Sequence, residues 1–154
     1  MISLLPTFRE TMVLPWSADD IHARLAASTS NKPFLQPDEH ELLFTGWVMP
    51  RRMRISLRVR RGNYYLPLVI GQLEETSAGC ILLLRYTLFP VTRLLLQLWT
   101  VLLVLGALMV SYQYSNLLFL PGGGMLIGII YFITWSNFRL QLNMTREAIL
   151  RVVS

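Results

Sequence analysis

The reading of the fold turns on LLLQLWTVLLVLGALMVSYQYSNLLFLPGGGMLIGIIYFITWSNF, residues 94–138. These 45 residues contain no Asp, Glu, Lys, Arg or His, and Arg93 and Arg139 border them. A helix crossing the hydrocarbon core of a bilayer needs ~20 apolar residues. The window therefore holds two crossings and a turn. One charge at the bilayer centre costs about 2.5–3.5 kcal/mol on insertion scales, so a charge-free window suits lipid far better than a soluble core. The spacing predicts helices over 94–111 and 121–138, each about 27 Å long at ~1.5 Å per residue. Between them, Tyr112-Gln113-Tyr114-Ser115-Asn116 is polar but uncharged and suits a turn at the far interface. Pro121 fits the first position of the second helix, where its missing N–H costs nothing.

The flanks predict orientation. Arg85 and Arg93 precede the first crossing, Arg139, Arg146 and Arg151 follow the second, and the connecting loop has no basic residue. By the positive-inside rule both termini face the cytoplasm. Trp99 and Trp135, with Arg93 and Arg139, are the expected interface anchors, the two tryptophans at similar depth. Residues 1–10 lack a basic run followed by an apolar one, so a cleaved signal peptide is not expected. The first crossing would then target the chain.

Outside the window the composition is that of a soluble domain. Residues 1–93 carry 11 Lys+Arg against 8 Asp+Glu, and residues 139–154 add three Arg against Glu147, which together make the net charge of +5. Of the 14 basic residues only Lys32 is a lysine. Cys80 is the sole cysteine, which rules out an intrachain disulfide. At 154 residues there is room for one small domain beside the hairpin.

That domain reads as α+β: a small antiparallel sheet of about four to five strands with one helix, over residues 1–90. Phe8–Leu14 is a plausible strand ended by Pro15. Ser17 caps a helix that has Asp19 and Asp20 in its first turn, Ile21 and Leu25 on one face, and an end near Ser28. Pro33 and Pro37 punctuate a loop over 28–40. Residues 41–89 form a meander. Phe44, Gly46 and Val48 alternate with Thr45, Trp47 and Met49, and Pro50-Arg51 turns the chain. Over 52–60, Met53, Ile55, Leu57 and Val59 face one way while Arg52, Arg54, Ser56, Arg58 and Arg60 face the other. Gly62-Asn63 turns, Tyr65–Leu73 is a strand in which Pro67 argues for an edge or a bulge, Thr76–Gly79 turns, and Cys80–Phe89 closes the set. Pro90 separates this domain from the hairpin, residues 91–141. A short amphipathic tail, 142–154, follows, with Thr145 as the cap of a helix carrying Ala148, Ile149 and Val152.

The basic strand is the sharpest candidate site. Period-2 spacing places Arg52, Arg54, Arg58 and Arg60 on one sheet face, neighbours ~6.8 Å apart. Such a face can bind anionic lipid, which attracts juxtamembrane basic groups by about 1 kcal/mol each. It can meet an acidic partner, or it can simply be solvated, paired with Glu39, Glu41, Glu74 and Glu75. Nucleic acid is not expected, because stacking aromatics would have to interleave on the same face. In the hairpin, Gly106, Gly124 and Gly128 let backbones approach closely, either within the hairpin or at a seam with another subunit. Gln97 is a polar residue inside the first crossing, close to the cytoplasmic interface.

No residue set specifies a reaction. The histidines are His22 and His40; Asp19 and His22 share a helix face while Asp20 points elsewhere, a poor metal site. Cys80 opens an apolar strand and is expected in the core. Gly122-Gly123-Gly124 lacks the Gly-Lys-Ser/Thr ending of a phosphate loop. Neither a metal, a cofactor nor an enzymatic activity is expected.

Phe44-x-Gly46-x-Val48, Tyr64-Tyr65-Leu66-Pro67-Leu68-Val69-Ile70-Gly71 and the Leu-rich strand through Phe89-Pro90 carry a resemblance. The layout resembles a group of small bacterial membrane proteins with a cytoplasmic α+β domain before a two-helix hairpin, and more distantly YcxB-like or bacterial pleckstrin-homology-like membrane proteins. It covers most of the chain, although Ser136-Asn137-Phe138-Arg139 lacks the acidic residue the group's pattern has there. The resemblance implies a bacterial inner-membrane location and no assigned activity. The resulting expectation is a non-enzymatic accessory or scaffold subunit, its hairpin docked against other membrane helices in the bilayer. The alternative is a regulator that binds anionic lipid through its Arg strand.

Overall fold

The computed structural model describes residues 5–30, 42–59, 65–115 and 117–153. In chain order the elements are β1 Thr7–Leu14, α1 Ala18–Ala27, β2 Thr29–Ser30, β3 Phe44–Val48, β4 Arg52–Leu57, β5 Pro67–Thr76, β6 Gly79–Leu88, α2 Pro90–Tyr114 and α3 Phe119–Val153. The fold is α+β with one mixed sheet of six strands in the order β1-β6-β5-β4-β3-β2. This corrects the expected four to five antiparallel strands. The extra strand is β2, whose two residues follow α1 directly and pair parallel to β3. Two residues are too few for any periodicity to announce.

Local chemistry accounts for most boundaries. Ser17 caps α1, its Oγ accepting the Asp20 N–H at 3.1 Å. Thr76 and Gly79 are paired across a two-residue turn, and Gly79 has φ +137°. A Cβ there would collide with the Leu14 carbonyl oxygen, so glycine lets the end of β1 close against the turn. Pro67 is neither at an edge nor in a bulge. It opens β5, a central strand, at the first position, where a missing donor is tolerated. Residues 31–41 and the turn at Gly62-Asn63 lie outside the described residues.

Alternation assigns the two sheet faces. Inward go Met53, Ile55, Val69, Leu73, Cys80, Leu82, Leu84 and Tyr86, all buried. Two helical elements cover them: α1 through Ile21 and Leu25, and α3 through Phe138, Leu142, Ile149 and Val153. Residues 142–153, expected as a separate tail, are thus the last part of α3 and close the core. Thr145 is no cap. It sits buried in mid-helix and donates its hydroxyl to the Gln141 carbonyl at 2.8 Å.

The other helix ends also differ from expectation. Tyr112–Tyr114 finish α2 rather than forming a turn, and Ser115, left-handed at φ 48°, stops it. Polar uncharged residues do not end a helix; a left-handed residue does. At the other side of the turn α3 starts at Phe119, two residues before Pro121, which stands in the first turn. The proline is still harmless there, because first-turn N–H groups have no intrahelical partner.

Helices α2 and α3 are long and apolar enough to cross a membrane, with mean hydropathies of 2.2 and 1.5 over windows only 11% and 6% buried. A soluble core helix of this hydropathy would be mostly covered. The pair points to membrane association.

Candidate functional site

The outward sheet face gathers the cations. Register aligns Trp47, Arg54, Ile70, Arg85 and Arg9 in one row across β3, β4, β5, β6 and β1. At ~4.8 Å between strands, the row spans about 19 Å. Arg52, Gln72, Leu83 and Thr11 make the next row. Among the described residues, Arg9, Arg52, Arg54 and Arg85 make no ion pair. Arg9 lies directly opposite Arg85, an arrangement in which like charges repel.

This is not the face the alternation of one strand predicts. Arg52 and Arg54 are on it, exposed. Arg58 lies past the end of β4, half-buried, its N–H donating to the Leu43 carbonyl at 2.8 Å. Arg60 lies outside the described residues. Arg9 and Arg85 join instead, from strands on the other side of the sheet. Arg85 carries a parity signal, alternating with apolar neighbours in Leu84-Arg85-Tyr86, whereas Arg9, between Phe8 and Glu10, carries none. Trp47 also joins, 39% exposed and opposite Arg54. Of the four candidate carboxylate partners, Glu39 and Glu41 lie outside the described residues. Glu74 shares the outward parity of Ile70 and Gln72, two residues beyond the partner of Arg52, and with Glu75, Asp19, Arg51 and Arg52 it lines a cleft of ≈ 530 Å³ at the far end of the sheet. Its charges are mixed, so it has no preferred ligand sign.

A second polar cluster ties the helix to the sheet. Glu10, on the inward parity of β1, accepts a forked pair of bonds from Arg146 of α3, Nε donating to Oε1 at 2.8 Å. The Tyr86 hydroxyl is buried beside them, the one buried side-chain polar atom without a hydrogen-bond partner among the described residues. Burial, and next the Glu10 carboxylate, push its ionisation well above the ordinary tyrosine range. Glu10 in turn holds the Arg146 guanidinium protonated still more firmly. Cys80 is fully buried, and burial, helped by Glu75, raises its thiol. A raised thiol carries little thiolate and is a poor nucleophile.

The hairpin closes on a different glycine from those expected. A Cβ on Gly123 would lie 2.7 Å from the Ala107 Cβ, while one on Gly106, Gly124 or Gly128 would meet nothing within 4 Å. The close approach is therefore Gly123 on Ala107, and the other three face away from the partner helix. Thr100 donates to the Tyr131 hydroxyl at 3.4 Å further along the same seam. With Ala107 beside Gly123 and Thr100 beside Tyr131, Trp135 sits about one turn nearer the sheet than Trp99. The Arg139 guanidinium lies 5.6 Å over the Trp135 ring, a cation–π contact. Trp99 and Arg93 are both exposed, on the same half of α2.

Among the described residues, no group of three His, Cys, Asp or Glu side chains is placed to hold a metal. Comparison with protein-family models, with curated proteins and with solved structures gives no match to this chain.

Proposed function

We propose that the chain is a non-enzymatic accessory subunit of a membrane assembly, a scaffold whose sheet presents a basic face to an acidic protein partner. The observation that carries this reading is the row Arg54–Ile70–Arg85–Arg9, without an ion pair among the described residues and led by an exposed Trp47. Aromatic and arginine side chains are the usual anchors of protein interfaces. In this reading the hairpin spans the inner membrane of a bacterium, and the positive-inside rule sets both ends in the cytoplasm. Gly106, Gly124 and Gly128, turned away from the hairpin seam, are available to neighbouring membrane helices.

A second reading, contact with anionic lipid, draws on the same arginines. Distance favours the first. Measured along β6, Arg85 lies three residues before Leu88, about 10 Å from the strand end that leads into α2. Headgroups add only about 5–8 Å to each side of the hydrocarbon core. Two measurements separate the readings. With native membranes solubilised gently, Arg54→Glu with Arg85→Glu should release a partner that the wild-type chain retains; retention by the double variant overturns the proposal. In nanodiscs, a chain whose only tryptophan is Trp47 should show no quenching by brominated anionic lipid; strong quenching favours the lipid reading.

A further inference from the structure

Strand β1 is the edge of the sheet, and among the described residues nothing pairs with its outer side. It is eight residues long, runs in unbroken register with β6 from Thr7↔Thr87 to Leu14↔Cys80, and contains no proline. Proteins usually blunt such edges with bulges, prolines or very short strands, because unpaired N–H and C=O groups recruit other strands. Within Thr7–Leu14 there is no bulge or proline and the strand is not short; its protection is confined to the charges of Arg9 and of Glu10, and Arg146 neutralises the latter.

The side chains around the edge define what would fit. On the inward face Phe8 packs against Tyr86, ring centroids 6.0 Å apart, yet it is 41% exposed. Tyr86, one strand further in, is fully buried. Phe8 is bare because the sheet stops beside it. On the outward face Arg9 stands opposite Arg85, two like charges that make no ion pair with a carboxylate among the described residues. The nearest acid on β1, Glu10, points inward and is engaged by Arg146.

We infer that β1 takes an additional strand from an acidic partner, an extended segment whose side chains alternate between apolar and acidic. Backbone hydrogen bonds to β1 supply the affinity, as in other strand-addition interfaces. Apolar residues of the segment cover Phe8 and Met12. Its acidic residues fall on the outward face, ~5 Å from Arg9, and relieve the Arg9–Arg85 repulsion. A second copy of this chain is a worse occupant. Antiparallel self-pairing centred on Arg9 or Glu10 sets like charges opposite each other, and it brings two basic faces together. The inference deepens the scaffold reading and rests on it.

The test uses the full chain in nanodiscs of neutral lipid. The probe is a labelled octapeptide alternating Val and Glu. It should bind, and it should slow amide hydrogen exchange over residues 7–14. Arg9→Glu should weaken binding at least tenfold, and a Val–Lys octapeptide should not bind. The same Val–Glu peptide with every backbone nitrogen methylated should also fail. Equal binding of the methylated peptide overturns strand addition, and the acidic-partner reading stands if Arg54→Glu with Arg85→Glu still abolishes that binding. No binding of any acidic peptide, with partner retention unaffected by charge reversal, overturns both. Concentration-dependent protection of 7–14 without peptide overturns the heterologous partner in favour of self-association.

Discussion

The two halves of α3 are one helix with two different outward surfaces. Its inward stripe runs without a break through Gly123, Ile127, Tyr131, Thr134, Phe138, Leu142, Thr145, Ile149 and Val153. The first half turns that stripe to α2, the second to the sheet. Outward, the halves differ in charge. Before Arg139 the exposed residues include Met125, Leu126, Ile129, Phe132 and Ile133 and none is charged; after it Arg146, Glu147 and Arg151 stand among exposed Leu140, Met144 and Leu150. The inward face answers to close packing, which is the same in a lipid-facing hairpin and a soluble core. The outward face answers to solvent. At ~1.5 Å per residue the 35 residues span about 52 Å, some 20 Å more than the hydrocarbon core. The excess joins hairpin to sheet with no loop between them.

The most damaging way to break that continuity is a two-residue Ala insertion after Arg139. It rotates the two halves by about 200° against each other, because each residue turns the helix by about 100°. Only one half can then keep its partner, and the soluble core should lose cooperative unfolding, read by tryptophan fluorescence. Next in size, Ile149→Ala should cost about 2–5 kcal/mol, as a cavity in a fully buried site does. Ile129→Ala, 44% exposed on the half packed against α2, should leave the unfolding of the sheet unchanged. Equal effects at the two sites would sink the distinction between the two halves.

A further variant sharpens the hairpin side. Gly123→Leu forces the helices apart at Ala107 and should cost about 1–3 kcal/mol of overpacking. Gly124→Leu and Gly128→Leu should leave the Ala107–residue 123 distance unchanged, as spin-label measurements would report, but weaken any assembly with neighbouring helices.

The smallest effect concerns Tyr86 at the sheet side. A free tyrosine ionises near pH 10. In the fold its hydroxyl ionises higher, first through burial and then through Glu10. The fold therefore favours the neutral form. That contribution is complete below about pH 10 and lost above it at roughly 1.4 kcal/mol per pH unit until the folded group ionises. Tyr86→Phe should flatten this alkaline limb and change neutral-pH stability little, since the hydroxyl has no hydrogen-bond partner to lose.

Much of the architecture was legible along the chain because it is written in local terms. A 45-residue gap in charge, Ser17 before Asp19-Asp20, and strict alternation in Arg52–Leu57 each reflect one element meeting one environment. The candidate site was legible only in part. Arg52 and Arg54 share a strand, so their common face follows from period two. Arg9 and Arg85 are 76 positions apart by number, and only the β1–β6 register makes them neighbours. Likewise the run of Gly122, Gly123 and Gly124 gives no hint that the middle residue alone meets Ala107. That depends on the rotation of two helices about their axes.

By itself the sequence determined which segments suit lipid, which suit water and which way each strand turns its side chains, because solvent preference and backbone period are properties of single residues and near neighbours. Only the tertiary structure decided that β1 ends the sheet, that Arg9, Arg85 and Arg54 form one row, and that the end of α3 seals the core. Those are relations between distant segments, set by strand register and by a helix stripe long enough to serve two partners.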